Sequence, residues 1–206
     1  MEKFLRFSWA SPVDWSRFGA PIRHQGTHQT CTSHAVAAMV EAVKRSEGDL
    51  ITTLSPTFIH TCLGGVEPGQ GLGPLRLQRA VGLGKSVPPY VGPDPWPPSQ
   101  CMIADGTLLP RLREVRGDID AKAALARAPV VASLKMGLEF NGLRGRYYRP
   151  TGSTSGDHIV CIVAQTSDGW LIQNSYGPTW GDGGYAELAI GTGGLLRPGL
   201  PAVTLA

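Results

Sequence analysis

The chain has 206 residues, a net charge of +3 and a 42% apolar content, enough for one large domain or two small lobes around a cleft. Its basic residues are scattered. The densest runs, 111–116 and 144–149, read as solvated faces with no zinc-finger, basic-helix or RNA-binding pattern beside them, which excludes nucleic acid as the expected partner. No stretch approaches the ~20 apolar residues of a membrane-spanning helix, and four cysteines without a CxxC pair exclude a disulfide scaffold.

Residues 1–23 look extended and punctuated by proline, and their opening MEKFLRFSWASPVDW carries charges where a secretory leader would be apolar. At Thr30 the pattern changes. Ala35, Val36, Met39, Val40 and Val43 recur at spacings of three and four and predict an amphipathic helix to about Arg45. Thr30 is the expected N-cap and Cys31 falls in the first turn. LSPTFIHTC, 54–62, opens a short helix with Ser55 as N-cap and Pro56 at the first position. A further short helix is expected within 71–85, an irregular proline-rich loop over 87–98, and a helix over 118–129 stopped by Pro129.

Beyond Pro129 the texture turns to strand. VVASL at 130–134 and HIVCIVAQT at 158–166 are β-branched runs, Asp168-Gly169 makes a hairpin into WLIQN at 170–174, and 184–190 alternates. Helices first and antiparallel strands later give an α+β chain, read as a single domain over 1–206: a helical lobe over roughly 20–115 and a β-rich lobe from 1–19 and 116–206.

The segment HQGTHQTCTSHA, 24–35, raises two possibilities. His24, His28, Cys31 and His34 are a conceivable zinc set, which needs four ligands converging tetrahedrally. Alternatively Cys31 is a nucleophile, its thiolate favoured by the positive end of the helix dipole and unpaired backbone N–H groups. A nucleophilic cysteine needs a base and a group to orient that base. His158 opens a strand 127 residues on, and Asn174 ends the next strand 16 residues later. A tight hairpin lets Asn174 accept from one imidazole nitrogen while the other faces sulfur. Gln25, six residues before Cys31, is placed to join the Cys31 backbone N–H in an oxyanion hole. The nucleophile reading uses His158, Asn174 and Gln25; the zinc reading leaves them unexplained. No metal or other cofactor is expected.

At these residues the chain resembles the papain-like cysteine peptidases over nearly its whole length. IRHQGTHQTCTSHA looks like the family's Gln-Gly segment leading to Cys at the helix start, and GDHIVCIVAQ resembles its histidine strand. NSYGPTWGDGGY, 174–185, matches seven of the eight fixed positions of N-S-W-G-x-x-W-G-x-x-G-Y. The resemblance implies a helical left lobe, a β-barrel-like right lobe and a cleft between them. It implies peptide hydrolysis through an acyl-enzyme, with Cys31 as nucleophile, His158 as acid and base, Asn174 as orienter and Gln25 in the oxyanion hole. Gly71, Gly73, Asp157, Ile159, Tyr176 and Trp180 are expected to bind substrate.

Three departures stand out. Thr32 replaces the Trp that usually follows the nucleophile and marks a bacterial-looking branch. Ile159 stands where the family often has a small residue, and is expected to narrow the main side-chain pocket. Tyr176 replaces the Trp that shields the Asn–His hydrogen bond. Cys62 and Cys101 match the positions of a family disulfide; their alternative state is a pair of reduced thiols. Cys161, flanked by apolar residues, is expected in the core.

The expected partner is a peptide or protein substrate, met by a monomer. An amine in place of water would make the same chemistry an acyl transfer or cyclisation, and a binding module without catalysis is the third possibility. Location follows two expectations: cytoplasmic if residue 1 is the native start, secreted or periplasmic if this is a mature domain with Cys62 and Cys101 oxidised.

Overall fold

A computed structural model describes residues 13–50, 52–67, 69–81, 86–90, 101, 106–150 and 154–206. The long helix α1, Cys31–Ser46, is buried along almost its entire central stretch, Ala35 to Ala42. Small and β-branched residues (Ala35, Val36, Ala37, Ala38, Val40) let its backbone lie close to the sheet it packs on, and Lys44 and Arg45 sit in its last turn, where the dipole favours cations. Thr30 occupies the N-cap position but its side chain makes no capping bond, contrary to the sequence expectation; it is buried under the helix start instead.

Helix α2, Pro56–Phe58, is capped by Ser55, whose hydroxyl accepts from Phe58 N, and it runs on as a wider π turn over Ile59–Leu63. Helix α3, Pro74–Val81, starts later than the 71–85 pattern predicted, because Pro74 favours the first helical position. Residues 82–85 of that prediction lie outside the described residues. So do 91–98 of the proline-rich loop, whose first residue belongs to a short strand, β1, Ser86–Val87, paired with β2, Thr107–Leu108. A disulfide joins Cys62 in the π turn to Cys101, closing 39 positions of chain; a loop of that size contributes roughly 4 kcal/mol in the chain-entropy picture.

The second lobe is a seven-stranded sheet. Its strands are β3 (Leu112–Glu114), β4 (Val130–Gly137), β5 (Tyr147–Tyr148), β6 (Thr154–Gln165), β7 (Gly169–Gln173), β8 (Tyr185–Ala189) and β9 (Ala202–Leu205), in the order β3-β9-β4-β6-β7-β8-β5. Every neighbouring pair is antiparallel except β5 with β8, which run parallel. Helix α4, Gly117–Leu125, packs on β4 and β6. Two runs read as solvated faces are therefore strands in part: 111–116 buries Leu112 and Val115, and 144–149 buries Tyr148. Charged neighbours masked their short apolar content.

The β6–β7 hairpin positions the site. Thr166 N donates to Gly169 O, and Gly169 N to Thr166 Oγ1. Only glycine fits at 169, since a Cβ there would lie 1.8 Å from Leu188 O. Cys161 pairs with Gln173, so continuing that register past the end of β7 brings Asn174 and Tyr176 alongside His158. Cys161 itself is fully buried, and burial pushes its thiol far up.

Candidate active site

A cleft of about 890 Å³ separates the helical elements from the sheet. Gln25 and Cys31 line it from one wall, together with Gly71 and Gly73. His158, Ile159 and Asp157 line it from β6, and Tyr176 and Trp180 from the loop after β7. Asn174 is buried immediately behind. Of the histidines near the helix start, His24 and His28 line the cleft, while His34 turns its Nδ1 to the Thr30 carbonyl at 3.0 Å. Among the described residues no three His, Cys, Asp or Glu side chains converge as metal ligands.

His158 is held from two sides. Its Nε2 donates to Asn174 Oδ1 at 2.7 Å, and that oxygen also accepts from Ser175 N at 2.8 Å. The second bond settles which Asn174 atom is oxygen, and an amide oxygen only accepts, so Nε2 carries the proton and Nδ1 presents a lone pair. On the other side the ring packs edge-on against Phe140 at 5.6 Å and tilted against Tyr176 at 4.8 Å. Phe140 in turn contacts Tyr148 at 4.8 Å and Trp180 at 5.0 Å, and Trp180 Nε1 donates to Phe140 O at 2.6 Å.

Cys31 is half-buried. Burial pushes its thiol up, opposed by hydrogen bonds from the backbone N–H groups of Ile159, Thr32 and Cys31 itself. Ile159 is the residue after His158, so this contact places the sulfur next to the stretch of β6 that carries His158. His158 moves the other way: burial lowers it to about 4, against the Asn174 hydrogen bond that favours the cation. Burial is the first cause of both shifts, and the helix-start donors act against it at the sulfur.

The remaining placements follow from polar bonds that sequence reading missed. Gln25 Nε2 donates to His28 O at 2.6 Å, and its Oε1 accepts from Ser175 Oγ at 2.5 Å, which orients the amide and leaves one N–H over. Gln25 N also donates to Ser175 O at 2.8 Å. Ser175 thus touches both Asn174 and Gln25 and ties the two lobes across the cleft floor. One residue upstream of His24, Arg23 makes a buried bidentate pair with Glu41 of α1, at 2.8 and 2.5 Å, and Glu41 also accepts from Leu54 N. Burial raises the Glu41 carboxyl against the pull of Arg23.

Thr32, in the place of the family Trp, donates its hydroxyl to Leu72 O between Gly71 and Gly73. Buried His60 donates from Nε2 to Glu67 O and Gln70 O at 3.1 and 3.0 Å, holding the same loop from behind. Ile159 is buried on its side-chain face yet lines the cleft near Ser133, Leu200 and Pro201. Asp157 pairs with Lys135 across the β4–β6 register at 2.9 Å, both exposed.

Fold and cleft together define the class: a papain-like α+β protein of two lobes with its site between them. A CMS1MS2 cysteine protease from Carica candamarcensis, solved in complex with E-64, superposes with a TM-score of 0.74 at 27% identity, covering 94% of this chain and 97% of that one. The family described as papain family cysteine protease matches residues 100–196. Chicken (Gallus gallus) cathepsin K is 30% identical over 201 residues, 86% of this chain and 58% of its own length. The probable cysteine protease RDL6 of Arabidopsis thaliana is 28% identical over 197 residues, 86% and 54% respectively. The chain thus spans about half the length of the curated relatives it matches. Its likeness to the papain family of cysteine proteases thus runs over residues 100–196 in the family match and over 94% of the chain in fold.

Proposed function

We propose that the chain is a cysteine peptidase, a single catalytic domain of the branch marked by Cys31-Thr32, cleaving peptide bonds through a thioester acyl-enzyme. The observation that carries this reading is the fixed tautomer of His158. Its Nε2 proton is committed to Asn174, which leaves Nδ1 to take a proton, and His158 and Cys31 line the same cleft.

The thiol proton passes to Nδ1, and the resulting thiolate attacks the carbonyl carbon. Asn174 keeps the ring in plane and stabilises the imidazolium. The carbonyl oxygen, now negative, is met by the Cys31 N–H, which has no intrahelical acceptor in the first turn, and by the spare N–H of Gln25. His158 returns its proton to the leaving amine, the C–N bond breaks, and the acyl group remains on sulfur. A water then gives its proton to Nδ1, attacks the thioester and releases the acid and the thiol. Gly71 and Gly73 offer backbone to an extended substrate, Asp157 and Trp180 line the flanks, and Ile159 narrows the pocket beside the scissile bond. The E-64 complex of CMS1MS2 supports a cleft of this kind in a related chain.

Mass analysis of products from a peptide library tests the reading. Wild-type protein should yield cleaved peptides with water-derived carboxylates, and Cys31→Ala none. Amide products formed only with added amine would reassign the chain to acyl transfer, and cleavage that persists in Cys31→Ala would remove the proposal.

A further inference from the structure

The stretch Gly71-Leu72-Gly73 on the helical wall of the cleft alternates: both glycines are exposed, and Leu72 between them is buried. The Gly73 carbonyl accepts from Arg76 N and Leu77 N at the start of α3. The amides of Gly71 and Gly73 and the carbonyl of Gly71 have no hydrogen-bond partner among the described residues, and both glycines line the cleft. Backbone groups left open along an exposed edge are what an extended chain pairs with. Such an edge binds well only where its position is already fixed, because a loop that its ligand must order loses affinity to that ordering.

The stretch is held from three directions. Thr32, fully buried in the first turn of α1, donates its hydroxyl to the Leu72 carbonyl between the two glycines. The Leu72 side chain packs on Gly64, where a Cβ would lie 2.5 Å from Leu72 Cδ2 and 2.5 Å from His60 O. His60 in the π turn donates from Nε2 to Glu67 O and Gln70 O at 3.1 and 3.0 Å, with Ser33 Oγ of α1 3.4 Å from its Nδ1. Of these holds, only the Thr32 bond grips a backbone atom of the stretch itself. We propose that Thr32 is a positioning residue for substrate: through Leu72 it fixes the open backbone of Gly71 and Gly73 relative to Cys31, so that an extended peptide lying on the glycines brings its carbonyl to the sulfur in register. The inference rests on the cleft as the peptide site of the proposed reaction.

Thr32 follows Cys31 directly, so nucleophile and binding edge are referred to the same helical turn. The hydroxyl is the group that links them. Serine at 32 keeps it, valine keeps the shape without it, and alanine lacks both. The same hydroxyl lies beside the Cys31 sulfur, so a change at 32 also alters the thiol. The two effects separate by their reach: an altered thiol is felt by every reagent, and a displaced edge only by reagents that lie along the glycines.

The test compares two alkylating probes on the full chain: Ala-Ala-Phe chloromethyl ketone, whose peptide runs along the cleft, and chloroacetone, which carries the same reactive group and no peptide. The Cys31 sulfur displaces chloride from either, and intact-protein mass spectrometry follows each rate. Dividing the peptide rate by the chloroacetone rate cancels any change in the thiol. Thr32→Val should lower that ratio by roughly threefold to tenfold, about the worth of one hydrogen bond, and Thr32→Ser should keep it. Thr32→Ala, equally without the hydroxyl, gives the same reading where valine does not pack. A wild-type ratio in the variants lacking the hydroxyl, an equal fall in Thr32→Ser, or a wild-type chain that gives the peptide probe no advantage overturns the proposal. The ratio reports the hold on the edge whether or not a peptide bond is hydrolysed. A peptide library left uncleaved would sink the functional reading alone.

Discussion

The two walls of the cleft are built differently. The wall carrying His158, Asn174 and Tyr176 is a β-ladder backed by an aromatic cluster of Phe140, Tyr148 and Trp180. The wall carrying Gln25, Cys31, Gly71 and Gly73 is a helix start and two loops, held by single polar bonds: Gln25 to His28 O and Ser175, Thr32 to Leu72 O, His60 to Glu67 O and Gln70 O. His158 is therefore fixed by packing that also supports the fold. Gln25 and Thr32 are held by individual polar bonds to the surrounding loops. Damage to the first wall should appear as lost stability, and damage to the second as lost rate on an intact fold.

The largest effect expected from this contrast is on the sheet side. Phe140 is fully buried and touches His158, Tyr148, Tyr176 and Trp180. Phe140→Ala should cost about 3–5 kcal/mol in denaturant unfolding; a loss below about 1 kcal/mol would show that the cluster is not what steadies the base. Next in size is the loop side. Gln25→Ala should lower kcat by roughly 10²–10³-fold with an unchanged unfolding midpoint, and an unchanged rate would take Gln25 out of the oxyanion hole.

The third prediction draws on both walls together, through His34 on α1 and His158 on β6. Burial lowers both His34 and His158 from 6.5 to about 4. Above the unfolded value both states are neutral and stability is complete. Between 6.5 and 4 the unfolded chain takes up protons that the folded rings refuse, so stability falls as pH falls. The expected slope is about 1.4 kcal/mol per pH unit for each ring. Urea midpoints measured across that window check it, and a flat profile would mean that the rings are not buried neutral.

Much of the sheet wall was legible from residues. β-branched runs, the Asp168-Gly169 turn and the 16-residue spacing from His158 to Asn174 carry their own geometry, since a hairpin converts sequence distance into adjacency. Short strands were not legible: β3, β5 and β9 hold two to four residues each, too few for a period to show. On the other wall, Cys31 was readable from its place at a helix start, but the extent of its burial was not. Burial is a property of the assembled cleft, and it acts against the donors at the helix start. The Ser175–Gln25 bond joins residues 150 positions apart and left no local trace. Tyr176 was readable as a cover, whereas its hydroxyl's reach to Nδ1 depends on the ring's tilt.

The most direct test of one sulfur worked by one imidazole is intact-protein mass spectrometry after brief exposure to an epoxide thiol reagent at neutral pH. The account predicts a single adduct, mapped to Cys31, with Cys161 untouched, and its near loss in His158→Ala. Equal labelling with and without the imidazole, or labelling spread over both free thiols, would contradict it.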